Sequence, residues 1–155
     1  MRCIKQPRDT NYCVTACLAM VTDLSFYECL EGVKEIVRLV RPDIHDISVV
    51  PFEVVTVFLA KHGWFLGYSA NFQPLLSLCE DDVASGLDIG FRLDDYDALL
   101  TVVQDESSQR HLVCWDSVAR KVRDPHWNAP DGYDISQVKI SQWYPLVPKK
   151  QVGWP

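Results

Sequence analysis

The chain has 155 residues, of which 48% are hydrophobic and 23% are charged, and this fits one globular domain that buries its own core. The formal net charge is -6 and no basic cluster is longer than two residues, which argues against nucleic acid or an anionic membrane as the main partner. No apolar run approaches the roughly 18 residues of a membrane span, and the start lacks the apolar segment of a secretory signal, so we expect a cytoplasmic protein.

The amino-terminal part, residues 1–63, has the pattern of three helices. The first is predicted to begin near Thr10 or Asn11, either of which can cap it, and to continue through "YCVTACLAMVT". This segment is apolar on nearly every face, so the helix should be buried all round. The second helix lies in "LSFYECLEGVKEIVRLVRP", where Ser25 and Glu28 have the spacing of a capping box. The third is predicted in "VPFEVVTVFLAKHG".

The remainder, residues 64–155, changes character and predicts short strands. These are "WFLGYS", "LDIGFRL", "ALLTVVQ", "HLVCWD", "KVRDP" and "VKISQWYPLV", which are rich in β-branched and aromatic residues and separated by turn-forming ones. The segment 72–86 has no clear pattern. Helices followed by strands indicate an α+β fold with an antiparallel sheet, in one domain over residues 1–155.

Six cysteines are present, and most of them lie inside apolar stretches rather than in loops. An even number is compatible with disulfides, but nothing in the sequence points to export. We therefore predict free thiols in a reducing compartment. The cysteines are Cys3, Cys13, Cys17, Cys29, Cys79 and Cys114.

The segment "HLVCWDSVARKVRDP" predicts a hairpin that brings a histidine and an aspartate together. If Trp115 pairs with Arg120 around a four-residue connection, His111 faces Asp124 on one face of the sheet. Directly opposed residues have Cβ atoms about 4.5–5.5 Å apart, which is close enough for a carboxylate to hydrogen-bond an imidazole. The other residues of that face are largely apolar, so we expect this pair to be shielded from water.

Cys13 is placed at the start of the first predicted helix, where a thiol is easily activated. Free thiols titrate near pH 8.5, and the thiolate is the reactive form. The unpaired N–H groups of a helix amino terminus favour the thiolate, and a neighbouring imidazolium favours it further. Gln6 supplies a side-chain amide that, with the backbone N–H of Cys13, would form an oxyanion hole.

Four elements occur in an order that resembles the papain-like cysteine peptidases. They are Gln6, Cys13 opening "CVTACLAM", His111 opening "HLVCWD", and Asp124 in "VRDP". The closest likeness is to the bacteriocin-processing peptidases that cut after double-glycine leaders, and to their stand-alone relatives. The resemblance spans nearly the whole chain and implies a papain-like fold. In that fold the cysteine helix packs on a twisted antiparallel sheet that carries the histidine and the aspartate.

The resemblance implies a cysteine-dependent hydrolase that cleaves a peptide or isopeptide bond. Cys13 would attack the carbonyl carbon, His111 would transfer the proton, and Asp124 would hold the imidazole tautomer. Acyl transfer and glutamine deamidation use the same groups and remain open. We expect a peptide or protein substrate and no cofactor, and the small size is typical of a bacterial or phage accessory protein.

Three residues near this constellation are alternatives for individual roles. His126, two residues after Asp124, is a rival base. Asp116 and Asn128 are rival groups for orienting the imidazole, because a different hairpin register would bring one of them to His111.

Two further interpretations compete with the hydrolase. Family members usually have glycine where this chain has Val14, and their Gln-to-Cys spacing is one residue shorter, so the alternative is a catalytically silent papain-like module that binds a protein as an inhibitor or adaptor. A metal site is the other alternative, since Cys13 with Cys17 and His111 with Cys114 have ligand-like spacing. Zinc sites usually use tighter knuckles, so we predict no metal.

Overall fold

The computed structural model describes residues 1–67, 70–71, 95–104 and 109–153. The predicted strand "LDIGFRL", Cys79 and the segment 72–86 lie outside the described residues. Within them, the five other cysteines are free thiols, as the sequence predicts.

Three helices form the amino-terminal part: α1 (Cys13–Thr22), α2 (Phe26–Val40) and α3 (Phe52–Lys61). The capping box of α2 is confirmed, because Glu28 N donates to Ser25 Oγ at 3.2 Å while Ser25 N donates to the Glu28 carboxylate at 2.9 Å. Within the described residues, no single helix has the length and apolar character to cross a membrane. The pair α1 and α2 meets those two criteria only together, with a bend of 109° between them.

The amino terminus of α1 differs from the prediction. Tyr12 is the N-cap residue, and no side chain in the described part of the chain caps this end. The hydroxyl of Thr10 instead donates to Pro7 O at 2.6 Å, in a loop where Asp9 has a positive φ of 57°. The Thr10 hydroxyl is therefore used in a hydrogen bond within its own turn and does not cap α1. The prediction that it or Asn11 caps the helix is wrong.

The sheet has six strands in the described residues, and every pairing is antiparallel. Their order is β1-β6-β3-β4-β5, with β2 also pairing with β6. The α+β class predicted from the sequence is confirmed. The strands are β1 (Trp64–Leu66), β2 (Ala70–Asn71), β3 (Ala98–Gln104), β4 (Gln109–Asp116), β5 (Lys121–Arg123) and β6 (Ile140–Pro148).

Two apolar clusters lie on opposite faces of this sheet. One is formed by the three helices and the sheet residues Leu99, Cys114 and Leu146. The other contains Val113 and Trp115 of β4, and does not involve the helices. Residues of β4 thus alternate between a face that packs on helices and a face on the other side, as the period-two geometry of a strand requires.

The β4–β5 hairpin has a different register from the predicted one. The observed partners are Trp115 with Val122 and Asp116 with Lys121, so the prediction that Trp115 pairs with Arg120 is wrong by two residues. The connection still has four residues, but β4 ends one residue later than predicted and β5 begins one residue later. Because side chains alternate with period two, this shift preserves the face of every residue. Asp124 is now diagonal to His111 rather than directly opposite.

Asp116 explains where the hairpin turns. Its Oδ1 accepts the N–H of Ala119 at 3.0 Å, and its Oδ2 accepts from the guanidinium of Arg123 at 2.9 Å. The last turn residue, Arg120, has a positive φ of 53°. A buried carboxylate at the end of β4 therefore organises the turn, which strand periodicity does not reveal.

Candidate active site

Thiol hydrogen bonds hold α1 against β4. The Cys17 thiol donates to Leu112 O at 3.4 Å, and the Cys114 thiol donates to Cys17 O at 3.6 Å. Both side chains are fully buried. These contacts fix the position of α1 along the strand, and they place Cys13, one turn before Cys17, beside the start of β4.

The start of β4 is where the helix and the strand face each other. β5 pairs only with residues 114–116 of β4, so His111 and Leu112 lie beyond the paired stretch on that side. The imidazole of His111 and the backbone N–H of Leu112 lie close to the Cys13 sulfur and, against the effect of burial, lower the pKa of its thiol. Cys13 itself is half-buried, so the residue is held by the protein without being sealed from solvent.

His111 is fixed on its other side by Asp124. His111 Nε2 lies 2.7 Å from Asp124 Oδ1, and both residues are only 8% exposed. An ionised carboxylate can only accept, so Nε2 carries the proton of this bond. The second ring nitrogen, Nδ1, is consequently the one available to the sulfur of Cys13.

Asp124 has further donors that the sequence gives no reason to expect. The backbone N–H of His126 donates to Oδ1 at 2.8 Å, and the hydroxyl of Tyr133 donates to Oδ2 at 2.8 Å. Tyr133 lies in the turn-rich stretch "APDGYDIS", where no periodic pattern marks it. It reaches the site through an isolated bridge to Val122, and only the three-dimensional structure reveals that bridge.

The electrostatics of Cys13 and His111 are coupled. Burial alone would raise the pKa of the Cys13 thiol, but the hydrogen bond from His111 and the backbone N–H groups facing the sulfur outweigh it and lower that pKa. For His111 burial disfavours the charged ring, yet the bonds to Asp124 and Cys13 prevail and raise its pKa to about 9. Both shifts act in the direction of a thiolate next to an imidazolium.

Asp124 stays ionised in spite of its burial. Burial by itself would raise the pKa of its carboxyl. The hydrogen bond and charge of His111, together with the N–H of His126, outweigh this and lower the pKa. A buried negative charge next to Nε2 supports the imidazolium form of His111.

Gln6 lies beside this group, although its predicted role stays a prediction. Its backbone N–H donates to Pro125 O at 2.8 Å, next to Asp124. Its side-chain Nε2 donates to Thr10 O, and its buried Oε1 has no hydrogen-bond partner in the described part of the chain. One of the two amide protons is thus used within the loop that leads to Cys13.

The amino terminus of α1 supplies a second set of donors. The first backbone hydrogen bond of the helix runs from Ala16 N to Tyr12 O at 3.0 Å. The N–H groups of Cys13 and Val14 precede it, so the helix ladder does not use them. The N–H of Val14 faces the sulfur. The first turn contains no acidic residue, so no side-chain charge opposes a thiolate there.

The alternative residues have contacts of their own in the structure. The ring centroid of His126 lies 6.4 Å from that of His111, and its Nδ1 accepts the N–H of Asn128 at 3.3 Å. Asp116 binds the guanidinium of Arg123 and the α-amine of Met1, the latter at 3.0 Å. Asp124 is therefore the carboxylate that contacts His111.

The metal alternative has no support in the described ranges. There, no group of three or more His, Cys, Asp or Glu side chains is arranged to hold a metal ion. His111 and Cys114 are three residues apart on β4 and lie on opposite faces of the sheet.

No protein-family model, curated protein or solved structure matches the chain.

Proposed function

We propose that this protein is a cytoplasmic cysteine-dependent hydrolase with a papain-like fold, which cleaves a peptide or isopeptide bond. The observation that carries the proposal is the series of interactions that links Cys13 to His111 and His111 to Asp124. These three groups come from a helix, a strand and a loop that are distant in the sequence. Their order matches the family resemblance given above.

The chemistry assigned to these groups proceeds in two halves. The Cys13 thiolate attacks the carbonyl carbon and forms a C–S bond, while the backbone N–H of Cys13 stabilises the developing oxyanion. The His111 imidazolium then protonates the leaving nitrogen, the C–N bond breaks, and a thioester remains. In the second half His111 removes a proton from water, which attacks the thioester and releases the acid and the thiolate.

Asp124 has a supporting role in this scheme. It orients the imidazole so that Nδ1 meets the sulfur, and its charge offsets the cost of burying the imidazolium. The lowered pKa of Cys13 and the raised pKa of His111 are what such an ion pair needs in order to exist before substrate binds.

A second candidate function is a silent papain-like module that binds a protein. The observation that favours it is the side chain of Gln6, whose amide nitrogen donates to Thr10 O. Val14, which stands where family members usually have glycine, also favours this alternative. A module of this kind would keep the fold and the surface and lack turnover.

The decisive experiment measures alkylation of the native protein by iodoacetamide between about pH 5 and 9, with peptide mapping to identify the labelled cysteine. We expect Cys13 to react rapidly below neutral pH and the buried thiols to stay slow. The matched controls are His111→Gln and His126→Gln, since the two histidines are neighbours and only His111 contacts the sulfur. Only the first substitution should slow the labelling.

Turnover is tested with a library of internally quenched peptides and isopeptides, with Cys13→Ser as the inactive reference. Fast labelling together with turnover that Cys13→Ser abolishes supports the hydrolase. Fast labelling without any turnover favours the binding module. If Cys13 reacts only after denaturation, it is a core thiol and the hydrolase proposal is wrong.

A further inference from the structure

Tyr133 has a connection to the candidate site that the Cys–His–Asp assignment does not use. Its hydroxyl donates to Asp124 Oδ2 at 2.8 Å, the oxygen that does not contact His111. The ring is half-buried and packs against the apolar cluster that contains Val113 and Trp115. The hydroxyl is thus directed at the carboxylate from a packed position.

The backbone around Tyr133 holds the side chain in this position. Val122 N donates to Tyr133 O at 2.9 Å, and Tyr133 N donates to Val122 O at 3.2 Å. This reciprocal pair ties the segment after Asp124 to β5, two residues before Asp124. The aspartate therefore lies in a short loop whose two ends are hydrogen-bonded to each other.

The donors around Asp124 are divided between its two oxygens. Oδ1 accepts from His111 and from the backbone N–H of His126, while Oδ2 accepts from Tyr133. Rotation of the carboxylate about its Cβ–Cγ bond would displace both oxygens and carry Oδ1 away from Nε2. A donor on the other oxygen restricts that rotation and keeps Oδ1 in line with Nε2.

We infer that Tyr133 is a positioning residue for the reaction, acting through Asp124 to hold the imidazole of His111 in line with Cys13. This inference rests on the proposed function and adds a fourth residue to it. Burial and the nearby charge of Asp124 raise the pKa of the Tyr133 hydroxyl, so it stays protonated and can only donate to the carboxylate. The residue makes no contact with the sulfur in this scheme and is not assigned a proton-transfer step.

The test compares Tyr133→Phe with Tyr144→Phe. Tyr144 is the matched control, because its hydroxyl donates to Gln142 Oε1 at 2.9 Å in a part-buried position on β6, away from Asp124. We expect Tyr133→Phe to slow iodoacetamide labelling of Cys13 near pH 6 about tenfold, because loss of a hydrogen bond to a charged group weakens the support of the imidazolium. Tyr144→Phe should change the rate by less than about twofold.

A double substitution separates positioning from general destabilisation. Asp124→Asn should slow labelling more than Tyr133→Phe does, and adding Tyr133→Phe to Asp124→Asn should have no further effect. Additive effects in this cycle would mean that Tyr133 acts elsewhere, and the inference would be overturned. On any peptide that is turned over, kcat should fall about tenfold while KM stays nearly constant.

Failure of this inference is distinguishable from failure of the proposed function. If the unaltered protein labels slowly at Cys13, the proposed function itself fails. If it labels fast and Asp124→Asn slows it, but Tyr133→Phe matches Tyr144→Phe, only the positioning role is wrong. A proton NMR spectrum of the unaltered protein keeps the test independent of variant folding. It should show the downfield His111 Nε2–H signal and a slowly exchanging Tyr133 hydroxyl, and a freely exchanging hydroxyl would refute the contact.

Discussion

Cys13 and Cys17 lie one turn apart on α1, and both interact with the backbone of Leu112. Against the effect of burial, the N–H of Leu112 helps to lower the pKa of the Cys13 thiol, whereas the carbonyl of Leu112 accepts from the thiol of Cys17. The first contact favours a thiolate, which accepts hydrogen bonds, and the second favours a thiol, which donates. Two identical side chains are therefore driven toward opposite protonation states.

The surroundings of the two cysteines increase the difference between their pKa values. Burial and the neighbouring Cys114 raise the pKa of Cys17 well above the ordinary value, and nothing opposes them that matches the effect of His111 on Cys13. Burial also acts on Cys13, but the imidazole and the unpaired N–H groups of the helix start outweigh it. Reactivity is thus decided by the partner groups at each turn rather than by cysteine type or by helix membership.

Removing the imidazole of His111 should have the largest effect on the difference in reactivity between Cys13 and Cys17. In His111→Gln the sulfur of Cys13 loses its charged partner, and its pKa should return toward that of a free thiol. We expect labelling of Cys13 by iodoacetamide near pH 6 to fall about a hundredfold. Mass spectrometry of the labelled peptides checks this, with far-UV circular dichroism to show that the variant is folded. An unchanged rate at Cys13 would mean that the helix terminus alone activates it.

A change of pH should have a smaller effect than the loss of His111. The rate of turnover should change by about tenfold for each pH unit outside the active range. On the acid side activity should rise with the lowered pKa of Cys13, as the thiolate forms. On the alkaline side it should fall as pH passes about 9, because His111 then loses the proton that the leaving group requires. Initial rates across this range measure both limbs. Labelling should show only the acid limb, since alkylation needs the thiolate but no acid, and a descending alkaline limb in labelling would contradict the assignment.

The smallest expected effect is on the free energy of unfolding, to which Cys17 should contribute more than Cys13. Cys17→Ala removes a fully buried sulfur and its hydrogen bond to Leu112, and we expect it to lower the free energy of unfolding by about 1–2 kcal/mol. Cys13→Ala removes a half-buried group and should change stability by about 0.5 kcal/mol or less. Urea denaturation followed by circular dichroism gives both values. A larger loss for Cys13→Ala than for Cys17→Ala would show that Cys13 is the structural thiol of the pair.

Local signals predict much of this architecture. The capping box of α2 involves residues three apart, and the alternation along β4 needs only neighbouring residues, so both features can be inferred from the sequence alone. The same holds for Cys13 at a helix start. The α+β class follows from the change of pattern after Gly63.

Features that depend on particular side-chain contacts were the ones predicted wrongly or missed. The β4–β5 register is set by Asp116, which binds Ala119 and Arg123, and periodicity alone does not distinguish it from a register two residues away. His111 and Asp124 lie together although the predicted register was wrong, because a two-residue shift keeps side chains on the same face. Tyr133 was missed because its hydroxyl meets Asp124 only after the loop between them has folded.

The docking of α1 on β4 has a consequence for how this protein acquires its chemistry. We expect the sulfur of Cys13 to lack its imidazole partner until α1 docks on β4, since His111 lies far from Cys13 in the sequence. Rapid alkylation in mildly acid solution therefore times the moment in refolding at which helix and sheet come together. Labelling of Cys13 would thus report on the assembly of the fold independently of any substrate.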